Sequence, residues 1–404
     1  MKTSKLIAHL AVPLAGALFT TLAAPARADV ITDWNQRCAQ IVGEARIGTP
    51  PAVRVMALVQ TAAYEAAREA TRAPSAPPHA VDAAVAGAHR AALTQLLPAQ
   101  RAAIEVAVQA AVAALPDDAS RAAHLAAGER AAQRVLAERA GDMPGGADTY
   151  RPQATPGVYV PTTAPAVPQW PQRKPWLLQR ADQFRPGPPP ALSSARWERD
   201  YNELKALGGR DSKQRSAEQS DMARFWDYSL PAIYHGVVRS VALQPGRDAL
   251  ANARLFAVVA QSMDDALIAV MDAKYHHNFW RPVTAIRNGD LDGQDGTERD
   301  ASWAPLIDTP MHPEYPCAHC ILAGTVATVL NAEGRKGPLP VLSTTSATLP
   351  GVVRRWNTPD DFMNEVAQAR IVGGVHYRNS TEVGMAMGQR IGEWALTRSA
   401  AAEH

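Results

Sequence analysis

The residues with most chemistry to offer sit in three short segments. The run KYHHNFWRP, from Lys274 to Pro282, sets a lysine and an arginine seven residues apart at the end of an apolar stretch. On a continuous helix that spacing is two turns, so both cations would share one face, where they could also serve the helix dipole. The run HPEYPCAHC, from His312 to Cys320, leads from a proline-rich loop into a helix whose first turn carries His319. Open amides and the dipole make such a turn a natural anion site. The run RIVGGVHYR, from Arg370 to Arg378, separates a guanidinium from His376 by a glycine pair that permits a tight backbone. Lys274, Arg281 and Arg370 supply positive charge, the arginines as planar forks that match tetrahedral oxyanions. Imidazole adds a group able to act as ligand, nucleophile or proton shuttle near neutral pH.

The cysteines admit other chemistry. Cys317 and Cys320 frame His319 at a helix start, which lowers thiol pKa and fits a redox site, although no thioredoxin-like alternation of strand and helix surrounds them. A zinc site on His312, Cys317 and Cys320 lacks a second ligand pair at suitable spacing. Ile321 excludes attached c-type haem, which needs histidine directly after the second cysteine. A structural disulfide, with Cys38 as one candidate partner, is the common outcome in an oxidising compartment. His276, His277 and His312 border the motifs and read as partly exposed loop or helix-end residues that could shape a pocket; His235 reads as structural. Asp264, Asp265 and Asp272, upstream of Lys274, read as a solvated or ion-paired face.

Helices must position these groups. From Asp29 to about Arg139 the chain is rich in Ala, Leu, Val, Glu and Arg at helical spacing, as in Val55, Val59, Ala62 and Ala66, and predicts several antiparallel helices. Eleven of the 32 prolines fall between Pro152 and Pro190, so this segment is no regular helix. Interleaved Trp170, Trp176, Leu177, Leu178 and Phe184 predict a strap lying on a neighbouring surface. Leu250 to Ala273 predicts a central apolar helix, Ala318 to Ala332 another that stops at a left-handed Gly334, and a last helix begins after Asn379 or Ser380. Its Gly384, Gly388 and Gly392 let another helix approach closely.

With a formal net charge of +2, no global field points to nucleic acid or an anionic membrane. Lys2 and Lys5, an apolar run from Leu6 to Leu22, and Ala26-Arg27-Ala28 predict a signal peptide over 1–28, broken by His9 and Pro13 and too short to span a bilayer. The expected location is secreted or periplasmic, without stable membrane insertion.

In order and spacing the three segments resemble the tripartite signature of the vanadium-dependent haloperoxidase and type 2 phosphatidic acid phosphatase superfamily, Lys-x6-Arg-Pro, Pro-Ser-Gly-His and Arg-x5-His. The likeness to secreted bacterial members extends to Val30–Asn35, Met56–Ala67, Phe184–Leu192 and Asn252–Phe256. The second motif departs from the pattern, with Cys317 for the usual serine and Ala318 for glycine. The thiol is the weaker donor, and the extra methyl stands where an amide should approach the anion. The resemblance implies an all-α bundle as one domain over 29–404, with N-terminal helices to 150, the strap over 151–192 and the oxyanion-site bundle over 193–404. It implies that Lys274, Arg281, Cys317, Ala318 and Arg370 bind an oxyanion, that His376 ligates vanadate, and that His319 is the general acid and base. Hydrogen peroxide and halide would be the substrates. The alternatives are a secreted phosphatase that forms a phosphohistidine at His376 from a phosphate monoester, and an oxyanion binder without turnover. Self-association into a homo-oligomer is left open.

Overall fold

A computed structural model describes residues 29–72, 76–142 and 150–401; the leader expected over 1–28 lies outside the described residues. The chain there is helical: α1 (Val30–Glu44), α2 (Thr49–Thr71), α3 (Ala80–Leu96), α4 (Arg101–Ala113), α5 (Ala119–Glu138), α6 (Ala195–Gly208), α7 (Ala217–Phe225), α8 (Pro231–Ala242), α9 (Ala249–His277), α10 (Pro282–Arg287), α11 (Ala318–Gly334), α12 (Pro359–Val372) and α13 (Arg378–Ala401). A hairpin of β1 (Leu342–Thr345) and β2 (Val353–Trp356), paired antiparallel with Leu342 opposite Trp356, packs on α8. Its four-residue strands are too short to show a period, and the sequence reading contains no hairpin.

Small residues set the helix spacing. A Cβ on Gly128 would stand 1.8 Å from the Ala84 carbonyl oxygen, so α3 and α5 cross in backbone contact. The glycine stripe of the last helix works likewise: a Cβ on Gly388 would meet the Ile321 oxygen at 2.2 Å, which seats α13 against α11. That contact matters for function, because α11 opens with the turn that holds His319. Gly334 does not end α11 in a left-handed conformation; the helix includes it and closes on Arg335 in the right-handed region.

α9 runs through the interior, with Leu255, Val259, Ala266, Ile268 and Val270 buried. Its acids are fasteners. Asp265, 1% exposed, accepts the amides of Trp176, Leu177 and Leu178 at 2.7 to 2.8 Å. Asp264 accepts from Arg54 at 2.6 Å and from Trp176 Nε1 at 2.8 Å, and Asp272 takes Arg185 on both oxygens. The proline-rich stretch is thereby pinned to α9 with Trp170 and Leu178 buried. Asp264 and Asp272 are ion-paired, as read from the sequence. Asp265 instead ties backbone, and burial pushes its carboxyl up to about 7.

His89 on α3 stacks on Trp34 at 4.6 Å and sits by the Val85 carbonyl at 2.9 Å. Burial drives its pKa down to about 4. A histidine kept neutral in the fold contributes stability that is complete above its unfolded pKa near 6.5 and is lost as pH falls towards 4. His89→Phe should therefore flatten the acid limb of a stability–pH curve from urea unfolding between those values, by roughly 1.4 kcal/mol per pH unit. An unchanged limb would place the acid sensitivity elsewhere.

Candidate active site

α9 ends at His277, and Asn278 turns left-handed at φ 47°. The chain doubles back, Trp280 N donates to Gly157 O at 3.0 Å, and Arg281 becomes the N-terminal cap of α10. Lys274 and Arg281 thus do not share the face of a continuous helix. They meet because a turn anchored on the proline-rich stretch folds one back towards the other.

Both cations are buried. Lys274 Nζ donates to the carbonyls of Pro313 at 3.0 Å and Glu314 at 2.8 Å, which leaves one N–H for a ligand. Arg281 donates through Nε to His312 O at 2.8 Å and through Nη1 to Val375 O at 2.9 Å, and its Nη2 meets His312 Nδ1 at 2.9 Å. Arg370, in the last turn of α12, donates Nη1 to Trp226 O at 2.8 Å, while its buried Nε has no partner. After it the chain turns at Gly374, φ 82°, whose Cβ would stand 2.3 Å from Gly208 O. Only glycine fits there, and the turn brings His376 Nε2 to 3.4 Å from Arg281 Nη1.

The other nitrogen decides what His376 can do. Its Nδ1 lies 2.7 Å from Glu314 Oε1, which also accepts the Tyr377 amide at 3.1 Å. Burial and the cations Arg281, Lys274 and Arg370 hold the imidazole well below its usual pKa, so it is neutral. A neutral ring that donates Nδ1–H to a carboxylate presents a bare lone pair on Nε2. Glu314, 0% exposed, is pushed up to about 7 by burial, against the pull of Lys274 and Arg281. Burial and the neighbouring cations push Lys274 down as well. Positive charge exceeds negative in this pocket, and an anion would relieve it.

His319 occupies the first turn of α11. Burial, Arg370, Lys274 and Arg281 hold it far below the ordinary histidine pKa, with the Trp226 carbonyl acting the other way. Its Nε2 is buried without a partner. The Cys317 amide goes to Ser380 O, that of Cys320 to Cys317 Sγ and that of Ile321 to Cys317 O, so the helix start keeps the Ala318 and His319 amides for a ligand.

Cys317 and Cys320 form a disulfide, both fully buried, and Cys38 is a free buried thiol beside Met56 Sδ at 3.4 Å. Three readings change. Cys38 is not a disulfide partner. Cys317 has no S–H to donate to an oxyanion, because its sulfur is bonded to Cys320. For the same reason the pair offers no thiolates for zinc, and its burial keeps redox partners away.

His312 is half-buried and engages Arg281, whereas His276 is exposed and His277 faces Pro186 O. His235 is buried against Asn35, away from these residues. Sequence reasoning missed Glu314 as the partner of His376, and Trp226, whose carbonyl serves Arg370. A lone acid inside a motif of cations and histidines was the available signal for Glu314; a carbonyl leaves none.

Residues 254–402 match the family model of the VCPO second helical-bundle domain. Vanadium chloroperoxidase of Curvularia inaequalis is 29% identical over 36% of this chain, and the match takes in only 29% of that protein. A bacterial vanadium-dependent iodoperoxidase shares the fold with a TM-score of 0.75 at 23% identity, over 91% of this chain and 96% of that one. A holo-type bacterial vanadium-dependent chloroperoxidase does so with 0.71 at 18% identity, over 88% and 93%. Residues 254–402 thus carry the VCPO second helical-bundle domain, and the described residues share the fold of these bacterial haloperoxidase structures.

Proposed function

We propose that this chain is a vanadate-dependent haloperoxidase-like enzyme, oxidising halide with hydrogen peroxide outside the cytoplasm. The observation that carries the reading is the lone pair of His376 Nε2, fixed by Glu314 among three buried cations. The residues fit vanadate: Arg370 Nε is a buried donor without a partner, as a donor awaiting an oxyanion would be, and His319 Nε2 is a buried nitrogen without one, free to take up a proton. His376 would hold it through Nε2, with Lys274, Arg281, Arg370 and the first amides of α11 around its oxygens. Bound vanadate supplies an electrophilic centre that activates peroxide towards halide. Lys274, Arg281 and Arg370 balance the negative charge, and burial spares them reorganisation when charge shifts. His319 moves the proton at Nε2, taking it from incoming peroxide and returning it to the departing oxygen. Its depressed pKa suits an anion-free pocket, and a bound anion would raise it towards neutrality. Disulfides persist in oxidising compartments, so the Cys317–Cys320 bond supports the location. Among the described residues no helix is long and apolar enough to cross a membrane.

The test is bromide- and peroxide-dependent bromination of a phenolic dye, with and without orthovanadate, in wild type and His376→Ala. Vanadate-dependent turnover that the variant lacks is expected. Absence of halide oxidation, with hydrolysis of a phosphate monoester that vanadate inhibits, would make the protein a phosphatase; silence in both assays would leave an oxyanion binder.

A further inference from the structure

The last carbonyls of α7 are taken by side chains from elsewhere in the chain, as helix ends require. Thr348 Oγ1 donates to Arg224 O at 2.7 Å and Ser346 Oγ to Phe225 O at 2.7 Å, both from the connection between β1 and β2, while Arg370 Nη1 donates to Trp226 O at 2.8 Å. Trp226 is fully buried, and its ring packs against Trp356 and Phe362 at 5.8 and 5.6 Å. Its indole Nε1 donates to Glu365 Oε1 at 2.9 Å. Glu365 stands five residues before Arg370 on α12. Its Oε2 accepts Trp356 Nε1 at 2.9 Å, and Arg354 brackets the carboxylate, Nε to Oε1 at 2.6 Å and Nη2 to Oε2 at 3.2 Å. Arg354 and Trp356 alternate along β2, so both leave the strand on the same face. Four donors on two oxygens fill the acceptor sites of the carboxylate and stop it turning.

We propose that Glu365 is a positioning residue for the oxyanion site: it locks Trp226 through the indole and so fixes the carbonyl that aims the Arg370 guanidinium. A guanidinium is a planar fork, so holding Nη1 on a fixed carbonyl sets the direction of the remaining N–H groups, the unpartnered Nε among them. The same carbonyl acts on the His319 ring, so one backbone atom bears on two of the groups assigned to the site. The hairpin thereby has a part in binding. Its connection ties down the end of α7, and its second strand fastens Glu365.

The inference rests on the oxyanion reading of Arg370. Glu365→Leu keeps much of the bulk and removes every acceptor, whereas Glu365→Gln keeps one oxygen, enough for a single indole. Equilibrium dialysis of orthovanadate, read per folded molecule by near-UV circular dichroism, should show affinity roughly tenfold lower in the leucine variant, the low end for loss of an outer partner. The loss should be smaller in the glutamine variant, and the 51V resonance of bound vanadate should shift in both. Glu218→Gln removes the exposed second partner of Arg354, which lies at 2.7 Å, and should bind as the wild type does. Wild-type affinity and resonance in the Glu365 variants would overturn the proposal, as would an equal loss in Glu218→Gln. Should the leucine variant not fold, the glutamine variant decides by the same two readouts. If the wild type itself binds no vanadate, the oxyanion reading fails, and a crystal structure of Glu365→Gln still decides the tether: a broken or lengthened bond from Arg370 to Trp226 O supports it, and an unchanged one refutes it.

Discussion

If the chain is the proposed haloperoxidase, His319→Ala should lower turnover by roughly 10²- to 10⁴-fold, the range for loss of a positioned general acid and base, while orthovanadate should still bind. The separation follows from the geometry. Charge complementarity comes from Lys274, Arg281 and Arg370, and the ligating lone pair from His376; none of these leans on His319 for a hydrogen bond. His319 contributes an unpartnered Nε2 and a pKa that the surrounding cations hold down. Steady-state bromination beside equilibrium dialysis of vanadate makes the comparison. A variant that keeps most of its rate would remove His319 from the proton-transfer role, and one that loses vanadate altogether would make it a binding residue.

Glu314→Ala should strike both the site and the fold. Lys274 and Arg281 would lose the buried carboxylate that acts on both, a change that costs roughly 3–5 kcal/mol when it leaves charge uncompensated. His376 would lose the acceptor for Nδ1–H, which costs a metal ligand about 10- to 100-fold in affinity. Glu314→Gln divides the two effects. Its amide oxygen can still accept from His376 and the Tyr377 amide, and burial already makes the native charge expensive, as the rise of the carboxyl to about 7 shows. The glutamine variant should keep most of the stability and lose affinity alone. Urea unfolding without oxyanion, together with vanadate dialysis, reads the pair; an alanine variant as stable as wild type would refute the electrostatic account.

Much of the helical framework was legible because its signals are local and periodic. The spacing of Val55, Val59, Ala62 and Ala66, and the apolar run into Ala273, mark α2 and α9 through the 3.6-residue repeat. The glycines of α13 announced a close neighbour without saying which; the Ile321 carbonyl lying against Gly388 identifies it as α11. Expectations failed where a turn overrides periodicity. Nothing in KYHHNFWRP requires Asn278 to go left-handed, since its φ of 47° depends on the contacts of Phe279 and Trp280 with the proline-rich stretch. The hairpin was too short to register, and the pairing of Cys317 with Cys320 instead of Cys38 is a matter of distance in space.

By itself the sequence determined the chemical inventory: three cations, two histidines and a helix start able to face an anion, in an order that resembles one superfamily. Residue type and spacing suffice for that, because charge, donor geometry and helix dipoles belong to the residues. Tertiary structure alone decided the states of those groups. It buried Lys274 and Arg281 together, gave Oε1 of Glu314 to His376 so that Nε2 stays bare, and spent the Cys317 sulfur on a disulfide. Desolvation and partner distance set protonation and availability, and both arise only when segments 40 to 95 residues apart are packed against one another.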